Sequence, residues 1–238
     1  MQVSKRRRPE GYRRILNTQN AKTKKGESLR YLTGVCYLAP ANESGVMNVC
    51  PNATEGCKLA CLFTAGRGQF AKTRAQRIAK TVFLYENRAL FLDCLRWDIG
   101  MIVKRAAKLG FTPCVRFNGT SDIASVATLM AEEFPTVRFY DYTKLSKPEH
   151  RLRDNYSLTF SYSGENLAES LRVMNLGVNV SVVFQVKKGA PLPATWNGHP
   201  VIDGDLHDLR FLDPKGVVVG LRAKGRAQKQ ASLFIVLA

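Results

Sequence analysis

The sequence has no long hydrophobic run and few acidic residues. Its longest apolar stretches, such as residues 233–238, are far shorter than the roughly 20 residues that span a bilayer. The basic residues near the N-terminus are not followed by an apolar stretch, so we expect no secretory signal, no membrane partner and a cytoplasmic location. The chain has 238 residues, enough for one sizeable domain.

Acids are scarce relative to bases, since 36 Lys and Arg oppose 19 Asp and Glu and give a net charge of +17. An excess of this size favours a partner that carries phosphates or carboxylates, with a nucleic acid or nucleotide first. A general charge bias that serves solubility is the alternative interpretation. Nucleotide-binding signatures are also missing: no G-x-G-x-x-G follows a strand and no G-x-x-x-x-G-K-[ST] occurs, so Rossmann and P-loop folds lose support.

Residues 1–30 form the most basic part of the chain. Ten basic residues stand there against Glu10 and Glu27, and apolar periodicity is weak. We predict a mobile or loosely docked N-terminal arm, which is either a phosphate-binding segment or a solvated tail.

Residues 31–238 are predicted to form a single α/β domain. Strands are indicated at 31–38, 113–118, 136–142, 156–162, 178–184, 201–202 and 217–221. Helices are indicated between residues 73 and 109 with one break, and at 123–134, 148–154 and 166–176. This alternation predicts a mainly parallel sheet, and we expect a partial or complete TIM-like (βα) barrel, with a doubly wound sheet as the alternative.

Polar residues that follow the strands are the candidates for a site, because active sites of parallel sheets form beyond the carboxyl ends of the strands. The predicted catalytic or positioning residues are Asn118, Asp122, Asp141 and Lys144. Asp122 has a rival role as the N-cap of the following helix. A basic group after the last strand suits an anionic substrate or is a solvated loop, and it comprises Arg222, Lys224 and Arg226.

Three cysteines are the sharpest chemical signal. They form the pattern Cys50-x6-Cys57-x3-Cys61 in a loop after the first predicted strand. The last two would share one face of a helical turn. In a reducing cytoplasm such thiols are expected to be free or to bind metal rather than to form disulfides.

The ligand set favours an iron–sulfur cluster over zinc or catalytic thiols.

 4Fe-4S is the expected cluster type. Structural zinc usually has four ligands, often in C-x2-C pairs, and no such pair is present. The three histidines, His150, His199 and His207, lie far along the chain. Cys36 is near enough in sequence to be a fourth ligand, while Cys94 and Cys114 are expected to be small buried hydrophobic residues.

Several segments resemble an uncharacterised family of phage, prophage and plasmid proteins that is labelled gene-product-88-like. The resemblance covers about residues 31–228 and implies a bacteriophage or mobile-element origin, hence the host cytoplasm, but no established activity. The family's three clustered cysteines fall on Cys50, Cys57 and Cys61, and Cys36 is not part of its pattern. The segments that carry the resemblance are residues 38–41, 50–61, 64–68, 116–122, 140–144, 201–205 and 220–227.

The layout also loosely resembles radical S-adenosylmethionine enzymes. These place a three-cysteine loop after the first strand of a partial barrel and a glycine-containing motif after the second, where this chain has Asn118-Gly119-Thr120. Their spacing is usually C-x3-C-x2-C, whereas this chain has C-x6-C-x3-C. The resemblance implies the fold and the cluster, with S-adenosylmethionine as one candidate cofactor.

Three functions remain open at this point. The first is an iron–sulfur enzyme that acts on an anionic substrate, a nucleotide or nucleic acid. The second is a non-enzymatic nucleic-acid-binding protein in which iron–sulfur or zinc only braces a loop. The third is a zinc-stabilised protein that blocks or recruits a host factor.

Overall fold

The computed structural model describes residues 7–229 and 232–237, which form ten strands and six α-helices. Lys5 and Arg6 of the predicted arm lie outside the described residues. The strands are β1 (Leu16–Asn17), β2 (Tyr31–Cys36), β3 (Thr112–Arg116), β4 (Arg138–Thr143), β5 (Tyr156–Ser161), β6 (Val180–Phe184), β7 (Thr195–Trp196), β8 (His199–Asp203), β9 (Val218–Arg222) and β10 (Ile235–Val236). The helices are α1 (Ala21–Glu27), α2 (Glu55–Leu59), α3 (Ala71–Glu86), α4 (Arg88–Leu109), α5 (Ala124–Glu133) and α6 (Leu167–Asn175).

The central sheet is mostly parallel, as predicted. Its strands lie in the order β1-β2-β3-β4-β5-β6-β9-β8-β7, and all neighbours from β2 to β8 are parallel. From β2 to β9 the spatial order follows the chain without a reversal. The carboxyl ends of six strands therefore meet along one edge, where the chain places its polar loops.

The predicted complete barrel is not formed, because both edges of the sheet are already paired. β1 pairs antiparallel with β2, so that Leu16 stands opposite Cys36. At the other edge β7 pairs antiparallel with β8. Within the described residues the sheet is open, because the two edge strands, β1 and β7, do not pair with each other.

One face of the sheet is covered by helices and holds the main core. Leu32, Val115 and Phe139 point to this face and pack with helix residues such as Leu95. Helix α4 approaches β2 closely at Gly34, where an added Cβ would overlap Ile102 Cδ1 and would displace that side chain. Within residues 7–229 and 232–237, no helix combines the length and the apolar character that crossing a bilayer requires.

The opposite face of the sheet is filled, away from the carboxyl ends of the strands, by residues 204–213, which we call the plug. Leu209 of the plug is buried with Cys114 and Tyr140 of β3 and β4. The Phe211 ring lies 5.6 Å from the Tyr140 ring, centroid to centroid, in an edge-on arrangement. The plug does not cover the whole face. The part near the carboxyl ends of the strands is left open.

The N-terminal segment is partly built into the domain. Ile15 and Leu16 are buried, and their backbone N–H groups donate to Asp98 Oδ2 of α4 at 2.7 and 2.8 Å. Tyr12 Oη donates to the other oxygen of Asp98 at 2.5 Å. The domain therefore includes residues well before the boundary expected at residue 31.

Candidate functional site

A cavity of about 400 Å³ opens at the carboxyl ends of the parallel strands. Its volume lies in the range of small-molecule sites. Every strand from β3 to β6, together with β9, contributes side chains to it directly or through the loop that follows. The three clustered cysteines line it along with most of the polar residues predicted for the site.

The cysteines reach the cavity from the long connection between β2 and α3. Cys57 lies in the short helix α2, whose N-cap Thr54 accepts a hydrogen bond from Cys57 N at 3.3 Å. Thr54 Oγ1 also donates to Ser163 O at 2.9 Å, which ties this turn to the end of β5. The Cys50 thiol lies 3.6 Å from Thr120 O. Burial raises the pKa of Cys50 to about 11 and also raises that of Cys61.

Two cations lie beside the thiols. Burial would lower the pKa of Lys144, but its contacts with Cys57 and Asp122 raise it above the usual value. The Arg77 guanidinium stacks over Phe63, with 5.4 Å between its central carbon and the ring centroid, and its charge acts on Cys61. Cationic neighbours favour the thiolate form of cysteine, which is the form that binds metal.

Asp122 holds Lys144 in place. Its Oδ2 accepts from Lys144 N at 2.7 Å, and it lines the cavity. Burial raises the pKa of Asp122, although the hydrogen bond from Lys144 N opposes the rise. The N-cap of α5 is Ile123 without a side-chain cap, so the rival capping role of Asp122 is not observed.

The loop of Asn118 and Gly119 approaches the end of β2 closely. Gly119 N donates to Cys36 O at 3.0 Å, and a Cβ at Gly119 would lie 2.5 Å from that same oxygen. A glycine is therefore required here by packing. The Asn118 side chain accepts from Ile123 N at 2.8 Å and Ser121 Oγ at 2.9 Å, which shapes the loop while the residue lines the cavity.

Asp141 is placed differently from expectation, because it lies outside the cavity lining. Side chains alternate between the two faces of a strand, so Tyr142 lines the cavity and Asp141 points to the helix-covered face. There Asp141 accepts from Asn118 N at 2.7 Å and from Tyr156 Oη at 3.1 Å. Burial raises the pKa of Asp141 to about 7, with the Asn118 N–H opposing the rise. The geometry makes Asp141 a support for the Asn118 loop.

Another part of the cavity wall carries a buried ion pair. Arg116 Nη1 donates to Asp208 Oδ2 of the plug at 2.7 Å, with both side chains less than a tenth exposed. The guanidinium stacks on the Tyr142 ring at 4.6 Å from its centroid. Ser181 Oγ donates to Ser161 Oγ at 3.1 Å on the same wall. This wall is polar, and its charges are paired within the protein.

The basic group at the end of β9 divides into two kinds of residue. Arg222 Nη1 contacts both oxygens of Asp203 at 2.9 Å, and Lys224 Nζ contacts Asp205 Oδ1 at 2.5 Å. Both residues line the cavity, with their charges balanced by these acids. Arg226 is exposed and lies outside the cavity lining.

Several cavity residues were absent from the predicted site. Arg116 and Ser181 lie inside strands, and a charged residue within the apolar run of β3 was a usable signal for a polar interior. Lys25 was assigned to the arm, yet its Nζ donates to Asp205 O at 2.6 Å and it lines the cavity. His207 of the plug lies far along the chain from the cysteines, yet it also lines the cavity. No local pattern distinguishes Lys25 from its basic neighbours.

The remaining three cysteines are buried away from the cavity lining. Cys36, Cys94 and Cys114 have no exposed surface, which confirms burial for the last two. All six cysteines are thiols. Burial raises the pKa of Cys36 to about 11, and it points to the helix-covered face.

The residues suit some metal groups better than others. Among the residues that the structure describes, no three His, Cys, Asp or Glu side chains converge to hold a single metal ion. A mononuclear zinc site needs four ligands within about 2.0–2.3 Å of one ion. Thiolates that bind a cluster attach to different irons, so they need only surround a shared space. The three thiols line one cavity, where Cys57 and Cys61 both act on Cys50.

Residues 8–236 match the protein family described as "Gene product 88". The chain belongs to the gene product 88 family. Neither a curated protein nor a solved structure matches it. The layout resemblance to radical S-adenosylmethionine enzymes is not supported by these comparisons and stays a prediction, as does the bacteriophage origin.

Proposed function

We propose that this member of the gene product 88 family is an iron–sulfur protein whose cavity binds an anionic substrate, a nucleotide or part of a nucleic acid. Cys50, Cys57 and Cys61 would hold the cluster. The observation that carries the proposal is that these three thiols line one cavity with Lys144 beside them. The open sheet would serve as a partial barrel around that cavity.

At this wall the charges of Lys144 and Arg77 oppose the burial that raises the pKa of the buried thiols. They offset part of the cost of placing negative charge in a buried position. When bound, an iron–sulfur cluster supplies electron transfer or an iron that accepts a substrate ligand. Three protein thiolates on a four-iron cluster would leave one iron available for such a ligand.

The cavity suits a small polar molecule with negative charge. Lys144 and Lys25 both line the cavity and contribute positive charge, while Arg116 and Arg222 are ion-paired. The Asn118 loop, supported by Asp141, and Asp122, which fixes the backbone of Lys144, would position the substrate against the cysteine wall.

The test is anaerobic purification followed by an absorption spectrum and by iron, sulfide and zinc analysis of one sample. We expect broad absorption near ~400 nm and about four irons and four sulfides per chain. Cys57→Ser should lose most of the iron and sulfide, whereas the matched control Cys94→Ser, a buried thiol of α4, should keep them.

Colourless wild-type protein that contains about one zinc would overturn the proposal. Equal iron loss in the two serine variants would show that the iron is not held by the three-cysteine wall.

A further inference from the structure

A second feature of the carboxyl-end edge is a patch of exposed cations beside the cavity mouth. It is formed by the loop after β6 and the turn after β9, and its members are Lys187, Lys188, Arg226 and Lys229. We call these four residues the basic rim. We propose that the basic rim docks the phosphate backbone of a single-stranded nucleic acid. The inference rests on the proposed function, since it places a nucleic-acid substrate next to the cavity.

The two loops of the basic rim are held together as one surface. Gln185 Nε2 donates to Gln228 O at 2.6 Å, and Ala223 N donates to Phe184 O at 2.9 Å. Gln185 N also donates to Val236 O of β10 at 2.8 Å. The cations are therefore carried by a braced backbone at the ends of adjacent strands.

The two segments that carry the basic rim contain no acidic residue. The sequence has no Asp or Glu between Glu169 and Asp203, and none after Asp213. Asp203 and Asp205, at and just after the end of the strand beside β9, are engaged with Arg222 and Lys224. A cluster of cations without interleaved acids is the electrostatic footprint of a phosphate backbone.

The rim is continuous with the cavity. Ala227 lies between Arg226 and Lys229 in sequence, is buried, and lines the cavity. Gly225 packs against Ala65, next to the turn that carries Leu62. Leu62 lines the cavity and is 44% exposed, so an apolar surface adjoins the cations.

This combination favours a single strand over a duplex. Phosphates on the rim would leave a base free to contact the apolar edge or enter the cavity, whereas the bases of a duplex are stacked and paired. Single-strand binding surfaces combine a basic track with apolar or aromatic contacts to bases.

The experiment measures the affinity of the full chain for a fluorescent single-stranded oligonucleotide over a range of salt concentrations. The rim variant carries Lys187→Gln, Lys188→Gln and Arg226→Gln. The control carries Lys104→Gln, Arg105→Gln and Lys108→Gln, which remove the same charge from exposed positions of α4. That part of α4 ends just before β3 begins, so it lies near the amino ends of the strands, whereas the basic rim lies at their carboxyl ends.

We expect the rim variant to bind at least about tenfold more weakly at moderate salt. Each lost phosphate contact lowers the slope of log affinity against log salt by about 0.7 for a single strand, so three should lower it by about 2. The control should retain the wild-type slope. Equal losses in the two variants, or no binding by the wild-type protein, would overturn the proposal. Tighter binding of a duplex of the same length would overturn its single-strand part.

Iron and sulfide are measured on the same samples. A protein without a cluster that still loses oligonucleotide binding in the rim variant would refute the proposed function and leave the docking surface standing. A cluster-containing protein that ignores the oligonucleotide would refute the docking surface alone.

Discussion

At the residue scale, a shift of one position along β4 separates two roles. Tyr142 faces the cavity and Asp141 faces the helix layer, where its carboxylate is buried and supports the Asn118 loop. On the other face of the sheet, Arg116 and Asp208 form a buried ion pair in which each residue is the counter-charge of the other. Polar residues near the site thus shape its walls as well as line it.

The pH dependence of stability tests the buried state of Asp141. Its pKa is raised to about 7 in the folded protein, against about 3.9 in an unfolded chain. Between these values the folded state binds the extra proton, so this residue's contribution to stability is full below about pH 4 and falls as pH rises to about 7. Asp141→Asn cannot titrate and should cost about 1–3 kcal/mol through its altered hydrogen bonds.

Denaturant unfolding at pH 5 and pH 8 measures this effect. The stability advantage of the wild type over Asp141→Asn should be smaller at pH 8. Asp154→Asn, at an exposed position, is the control for the change in charge. An advantage that grows between pH 5 and pH 8 would contradict the assignment.

At the element scale, the N-terminal segment and the plug complete the domain around the sheet. β1 covers the outer edge of β2, and Asp98 of α4 gathers the donors of Tyr12, Ile15 and Leu16. The Lys25 contact with Asp205 joins α1 to the plug. A deletion of residues 1–30 would therefore remove structure along with positive charge.

Two truncations should separate these contributions. Removal of residues 1–8 should leave the free energy of unfolding nearly unchanged. Removal of residues 1–17 should lower it by at least about 3 kcal/mol, because burial of Ile15 and Leu16 contributes roughly 1.5–3 kcal/mol each. Urea unfolding of both proteins measures the difference. Equal stability of the two truncated chains would show that the docked segment contributes nothing.

At the scale of the whole molecule, the open sheet collects its chemistry at one edge. Six sequential parallel strands bring their carboxyl ends together, and the long connection after β2 adds the cysteines to the same edge. The basic rim extends that edge toward solvent. The helices cover one face of the sheet, and the plug fills the other face away from the carboxyl ends of the strands.

Cluster loading should stabilise the entire domain, because a ligand that binds only the folded state shifts the unfolding equilibrium. At saturation near 100 times the dissociation constant the gain is about 2.7 kcal/mol, which corresponds to a Tm increase of roughly 5–10 °C for a chain of this size. Calorimetry before and after anaerobic reconstitution with iron and sulfide measures it. A protein with serine at Cys50, Cys57 and Cys61 is the control, and an equal increase there would place the metal elsewhere.

Much of the fold could be predicted from the sequence because it depends on local patterns. Helix α4 ends at Gly110, which adopts a left-handed φ of 63°, and α6 is followed by Gly177 with φ of 79°. The apolar-rich segments of β2 and β6 identify buried parallel strands, and the alternation of apolar and hydroxyl residues identifies β5. The short strands β1, β7 and β10 were not predicted, since two-residue pairings leave no periodicity to detect.

The sequence by itself determined the strand and helix alternation, the cysteine cluster and the excess of positive charge, because each is a property of neighbouring residues. Only the tertiary structure decided that the sheet stays open, that Lys25 and Asp208 reach the cavity, and that Asp141 stands behind it. These outcomes depend on edge pairing, on the path of the plug and on which face a strand residue occupies, and all three arise from contacts between residues distant in the chain.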